Sequence, residues 1–391
     1  MLRSQFDHFI SQALDQAPKT SDILLTVGKP VQAEIDGELS NIPLSPDPGT
    51  LNPWQVESMA SCMLGRNMRL YRDLVQTGSC DLSYELRGRG RFRVNIFHQK
   101  GSLAAVMRQL STEPPTLQDL GLPDIFSSMA REKYGLVLVT GATGTGKSTS
   151  LAALVDAINQ AQRIHIVTLE DPVEFVHSHK QGTVNQRELG IDFDSFASGL
   201  RAALRQAPKV ILVGEIRDRE TMHIALEAAE TGHLVLGTLH TSDTAQTVNR
   251  IVGMFELSEE RLIRGRLSES LKYVVSQRLM PKTEGGRVAA FEILTNNIRI
   301  RELIQNGEDG EKNFYNVLES SSSYGMVTFD KYLADLFQKG IISEDVAMLN
   351  GSDKSRLGQM IDRIKSEWGE KVTDIEGLEL DRDYEEKMVN R

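Results

Sequence analysis

Gly141-Ala142-Thr143-Gly144-Thr145-Gly146-Lys147-Ser148 is the stretch that decides the fold. It is a complete G-x-x-x-x-G-K-S, preceded by the apolar run Tyr134–Thr140 (YGLVLVT) and followed by an apolar-rich segment from Leu151 to Ile158. Strand, glycine-rich turn and helix in that order form a phosphate-binding unit. The glycines let main-chain N–H groups turn inward at the positive end of the helix dipole. Gly141, Thr143, Gly144, Thr145, Gly146 and Thr149 are candidate nucleotide-binding residues. Lys147 would supply a point charge to the β- and γ-phosphates, and Ser148 an oxygen to Mg²⁺, so ATP and Mg²⁺ are the expected cofactors. A chance glycine-rich turn is the competing reading, and the strand-turn-helix context disfavours it.

Working outward, apolar runs at Ile164–Leu169, Val210–Gly214 and Leu234–Leu239 alternate with helical patterns. Phe196, Leu200, Ala203 and Leu204 mark one helix, and Ile224, Leu226, Ala228 and Ala229 another, with Gly232 as its cap. Strands alternating with helices predict a parallel sheet covered on both faces, an α/β fold. Three of the strands lead into polar clusters. Thr168-Leu169-Glu170-Asp171-Pro172-Val173-Glu174 places three carboxylates at a strand end, where ligands bind in open α/β sheets. Glu174 is the candidate general base, although an acid-dressed helix start with its N1 proline explains the same residues. Val210-Ile211-Leu212-Val213-Gly214-Glu215-Ile216-Arg217-Asp218 is an apolar strand ending in a carboxylate, the pattern in which Glu215 holds the Mg²⁺ shell. His233 and His240 bracket the last strand, and neither has a third ligand at metal-binding spacing. His240, at the strand end, is a candidate γ-phosphate sensor. Arg91-Phe92-Arg93-Val94-Asn95 and Arg108 lie in the N-terminal part, with Arg91 and Arg93 on one strand face. Solvated arginines are the ordinary reading, and a finger reaching a phosphate is the sharper one.

The chain has 391 residues, enough for two domains, and a formal net charge of −10, which argues against a phosphate-backbone binder. No nucleic-acid partner is expected. Its two cysteines, Cys62 and Cys80, build neither a disulfide framework nor a four-cysteine zinc site. No apolar run is long enough to span a bilayer and the N-terminus lacks a signal peptide's apolar stretch, so a cytoplasmic location is expected. Residues 1–112 read as a mixed α/β domain: an amphipathic helix on Phe6, Phe9, Ile10 and Leu14, then strands at Ile23–Val27, Val31–Ile35, Leu82–Leu86, Phe92–Phe97 and Ala104–Leu110. Asp36-Gly37 marks a hairpin. The proline-rich stretch within 113–118 is the expected linker, 119–295 the core, 296–366 a helical region and 367–391 an acidic tail.

These motifs together resemble the type IV pilus retraction ATPases of the PilT and PilU type, within the secretion ATPase superfamily. The similarity runs from Ser21-Asp22 to about residue 360. The family's Asp box matches TLEDPVEFVH at Thr168–His177, which implies Glu174 as the catalytic glutamate. Its Walker B matches VGEIRD and implies Glu215. Its His box matches AAETGHLVLGTLHT, implying His233 and His240. Its RFRVN segment implies Arg93 and Arg108 as arginine fingers offered to a neighbouring subunit. The resemblance also implies a PAS-like α+β N-terminal domain, a RecA-like P-loop core and a homohexameric ring. The ring would pull on an inner-membrane pilus platform protein and meet the membrane only through partners; a paralogous retraction ATPase is a further partner of the family.

The branch stays open. The late motif A-I-R-N-L-I-R-E is only partly kept at Arg299–Asn306, Arg205-Gln206-Ala207-Pro208 resembles the PilU branch, and His240-Thr241-Ser242 resembles PilT. Extension and type II secretion ATPases carry a tetracysteine insertion that two cysteines cannot supply. An accessory nucleotide-binding ring supporting a paralogous motor, or an ATPase of a related type II/IV secretion system, remains an alternative.

Overall fold

In the computed structural model, residues 1–18, 20–110, 113–310 and 312–369 are described. The acidic stretch beyond Gly369 lies outside them.

The N-terminal half opens with α1 (Arg3–Gln16), which buries Phe6, Ile10 and Ala13 along one face. β1 (Thr20–Thr26), β2 (Gln32–Ile35) and β3 (Glu38–Asn41) follow. Asp36 (φ 51) and Gly37 (φ 88) turn β2 into β3, as an Asp-Gly pair with two positive φ angles should. Helices α2 (Pro53–Leu64) and α3 (Met68–Thr77) come next, then β4 (Ser79–Leu86), β5 (Gly90–Gln99) and β6 (Ser102–Leu110). The six strands form one antiparallel sheet in the order β3-β2-β1-β6-β5-β4. Strand alternation sends Leu82, Tyr84, Phe92, Val94 and Ile96 into the core beneath the helices. The sequence reading missed α2 and α3. The signal for α2 was present, because Asn52 caps the helix by accepting from Gln55 N–H at 3.0 Å and Pro53 fills its first position.

The second half is α4 (Ile125–Met129), β7 (Gly135–Thr140), α5 (Lys147–Ala161), β8 (His165–Glu170), β9 (Thr183–Glu188), α6 (Phe196–Ala203), β10 (Val210–Val213), α7 (Arg219–Glu230), β11 (Leu234–Leu239), α8 (Thr244–Val252), α9 (Glu260–Ser270), β12 (Leu271–Pro281) and β13 (Arg287–Thr295). The sheet order is β13-β12-β7-β11-β10-β8-β9. Every pairing is parallel except β12 with β13. Alternate residues of β7 enter two different clusters: Leu136 and Leu138 pack with α6 and α7, while Val137 and Val139 pack with α4 and α5. This is the two-faced burial that the unbroken apolar strands predicted. Strands β9, β12 and β13 were not anticipated. β9 is a polar edge strand, and the apolar run of β12 is interrupted by Arg278.

Helices α10 (Ile298–Asn306), α11 (Phe314–Ser320), α12 (Phe329–Gln338), α13 (Glu344–Asn350) and α14 (Lys354–Glu367) complete the described chain. Phe329, Leu333, Leu357 and Ile361 pack with Met280 of β12 and Ala290 of β13, seating these helices on the edge hairpin. Arg278 lies 3.9 Å from the Phe329 ring centre and donates to Asn350 O and, at 3.2 Å, to Ser352 Oγ.

Candidate active site

The C-terminal ends of β7, β8, β10 and β11 converge on one cleft of about 530 Å³. Its floor is the loop between β7 and α5. Gly141 has φ 145, and a Cβ there would stand 2.4 Å from Gln277 O of β12 and 2.8 Å from Thr145 Oγ1. The main chain can follow this path only as glycine. Gly141 and Thr145 therefore form the inner wall of the loop, while Thr143, Gly144, Gly146, Lys147, Ser148 and Thr149 face the cleft. Lys147 Nζ donates to the carbonyls of Gly141 and Ala142, each at 2.8 Å. Burial lowers its pKa, and the nearby carboxylates of Glu215 and Glu174 work against that shift.

Gln277, nearly fully buried, braces this loop from β12. Its Oε1 accepts from Ser150 Oγ at 2.9 Å and its Nε2 donates to Thr145 O at 2.7 Å. One residue earlier on β12, Ser276 shares a hydroxyl contact of 2.8 Å with Thr140 of β7.

The carboxylates take up the opposite wall. Glu174 and Glu215 both line the cleft and are half-buried. Glu215 Oε1 accepts from Arg217 Nε at 2.5 Å and meets His240 Nε2 at 3.0 Å. Glu170 accepts from Thr168 Oγ1 at 2.6 Å and Gln186 Nε2 at 3.0 Å; burial still raises its pKa. Its Oε1 takes both of these bonds, the second tying β8 to β9. His177, which closes the matched Asp-box segment, is buried at the cleft edge, its pKa pushed down to about 4 by burial.

From across the cleft comes Arg93 of β5. Expected as a finger offered to a neighbouring subunit, it lines the cleft of its own chain. The reason is the docking of the two halves: Arg91, two residues earlier, forms an ion pair with Glu188 of β9. Arg108 does not join it. That side chain donates to Asp22 Oδ1 at 2.9 Å on the N-terminal sheet and is largely exposed. His233 is also outside the cleft: it precedes β11, at the end of the strand opposite His240, and its ring Nδ1 lies 3.1 Å from Ala228 O. Arg287 of β13 lines the cleft and was not foreseen, since its strand was not read. No cluster able to hold a metal through His, Cys, Asp and Glu alone occurs among the described residues.

The donor set suits a magnesium nucleotide: inward-facing main chain at a helix N-terminus, a lysine, a serine hydroxyl, and carboxylates set back from them. Comparison with known proteins agrees. The profile described as Type II/IV secretion system protein matches residues 72–324.

The chain belongs to that family. It is 43% identical over 337 residues to the type IV pilus retraction ATPase PilT of Pseudomonas aeruginosa, covering 86% of this chain and 94% of that protein. It is 39% identical to the type IV pilus ATPase PilU of the same organism, covering 87% of each. Among solved structures, the pilus retraction motor PilT with bound ADP superposes with a TM-score of 0.80 at 42% identity, over 90% of this chain and 98% of that one. As a member of this family the chain is homologous to the pilus retraction ATPases. The two branches stand close together in identity. No helix among the described residues is long and apolar enough to cross a membrane.

Proposed function

We propose that this protein is an ATP-hydrolysing motor that powers type IV pilus retraction. One observation carries the reading: four strand ends bring Lys147, Ser148, Glu174, Glu215 and His240 to one cleft that Arg93 faces from the other half of the chain. In this reading the first half is the PAS-like domain, residues 113–118 the linker, and 119–295 the RecA-like core that carries the helical region. ATP lies between the core and the chain's own N-terminal sheet.

Lys147 and the main-chain N–H groups of the loop bind the β- and γ-phosphates. Ser148, and Glu215 through water, would hold Mg²⁺, which when bound neutralises charge on the phosphate oxygens. Glu174 orients a water and takes its proton as the water oxygen bonds to the γ-phosphorus and the bond to ADP breaks. Arg93 and Arg217 offset charge gathering on the equatorial oxygens. His240, resting on Glu215, reports whether the γ-phosphate is present. Arg108 and His233 have no part in this cleft; a role for either lies at contacts with other subunits. The working form is a homohexameric ring in the cytoplasm, bearing on an inner-membrane platform protein and acting with or without a paralogous ATPase.

The test is pilus retraction in cells lacking the gene, rescued with the wild-type chain or Lys147→Ala. Retraction restored by the wild type alone supports the motor. Retraction independent of the gene sinks the assignment to pili. Mg²⁺-dependent hydrolysis by purified Lys147→Ala sinks the site.

A further inference from the structure

Two parts of the molecule meet on a single oxygen atom. Glu188, the last residue of β9, is 4% exposed, and its Oε2 accepts both from the Arg91 guanidinium of β5 and from Val173 N–H, the latter at 3.2 Å. Val173 is the residue before Glu174. The carboxylate is steadied from behind, because Glu188 N–H donates to Asp192 Oδ2 at 2.8 Å and Glu188 pairs with Glu170 across β8 and β9. One side of this junction therefore belongs to the N-terminal sheet, and the other to the loop carrying the candidate base. Arg93, which lines the cleft, leaves the same strand two residues beyond Arg91.

We propose that Glu188 is a positioning residue that makes the pose of Glu174 depend on docking of the N-terminal sheet. This rests on the reading that Glu174 orients the attacking water. While Arg91 is docked, the buried carboxylate is charge-compensated and free to hold Val173. When the sheet swings away, an uncompensated charge is left where water is scarce, a costly state. The carboxylate must then turn towards solvent, and the Val173 N–H loses its acceptor. Arg93 leaves the phosphates in the same movement. Hydrolysis is thereby confined to the docked conformation, and an open chain can hold ATP without spending it.

The test uses the purified full-length chain with Arg91→Met, Glu188→Gln, the double variant, and Glu174→Gln. Steady-state hydrolysis gives kcat and KM, and amide hydrogen exchange is followed at Val173 and along β7, β10 and β11. The proposal expects kcat in Arg91→Met and Glu188→Gln to fall about tenfold or more, and by a larger factor than KM for ATP rises, because the phosphate loop is untouched and only Arg93 is withdrawn from the nucleotide. The double variant should match the single ones, since two groups acting as one unit do not add. Exchange should quicken at Val173 while the sheet strands stay protected. If Arg91→Met is too unstable to assay, the charge-neutral double variant carries the same expectation. Unchanged kcat, costs that multiply, or faster exchange across the whole sheet would each overturn it. Glu174→Gln separates the two claims: if it remains active, the role given to Glu174 fails and the inference with it. If it is inactive while Arg91→Met is fully active, only the inference fails.

Discussion

His177 shows how burial can tune one residue. Burial at the cleft edge keeps the ring neutral, with its pKa pushed down to about 4 and no protein partner for Nδ1 among the described residues. Between pH 6.5 and 4 the unfolded chain takes up a proton here that the folded chain refuses. Stability is therefore complete above pH 6.5 and lost as pH falls, at up to about 1.4 kcal/mol per pH unit from this group. We expect His177→Leu to flatten the acid side of the stability profile relative to wild type, measured as urea midpoints at pH 7, 6 and 5. Equal slopes would show that the ring titrates freely. At this scale the sequence was legible where main chain and motif coincide: Lys147, Ser148, Glu174, Glu215 and His240 all reach the cleft. Arg108 and His233 lie outside it, because a motif says which residues recur together and not which face of a sheet or which end of a strand each one takes. The pairing of Arg108 with Asp22 follows from the alignment of β1 against β6, where the two residues sit opposite each other.

Among the elements, β12 does more for the phosphate loop than its sequence announces. Gln277 ties both Thr145 and Ser150, while its neighbour Arg278 grips the turn between α13 and α14. Gln277→Leu removes two hydrogen bonds of about 1 kcal/mol each. We expect the KM for ATP to rise about tenfold with the fold retained, read from steady-state kinetics and circular dichroism; an unchanged KM would mean the loop holds its shape alone. None of this could be read from local pattern. The run Leu271–Pro281 mixes buried apolar residues with Lys272, Gln277 and Arg278, so its period matches neither a half-buried strand nor a helix. Only its long pairings, parallel to β7 and antiparallel to β13, define it.

For the molecule as a whole, the alternation of strands and helices gave the α/β class, but not how the two halves meet. One contact that joins them, Arg91 with Glu188, links residues 97 apart in sequence. Nucleotide held between the halves should stabilise both. At a hundredfold excess over Kd, a non-hydrolysable ATP analogue with Mg²⁺ should add about 2.7 kcal/mol, seen as a raised melting temperature. The rise should vanish in Lys147→Ala and shrink in Arg93→Ala. An undiminished rise in Arg93→Ala would place the nucleotide out of reach of the N-terminal sheet.

The wall behind Gly141 also has a genetic consequence. Every amino acid one base change away from a glycine codon carries a Cβ, and at this position a Cβ would stand 2.4 Å from the Gln277 carbonyl, in a backbone conformation that L side chains rarely adopt. The obstacle is main chain in the middle of a sheet, so no second-site change of side chain can clear it. A population of this gene has no stepping stone at that codon, and suppressors of a Gly141 lesion should be true revertants.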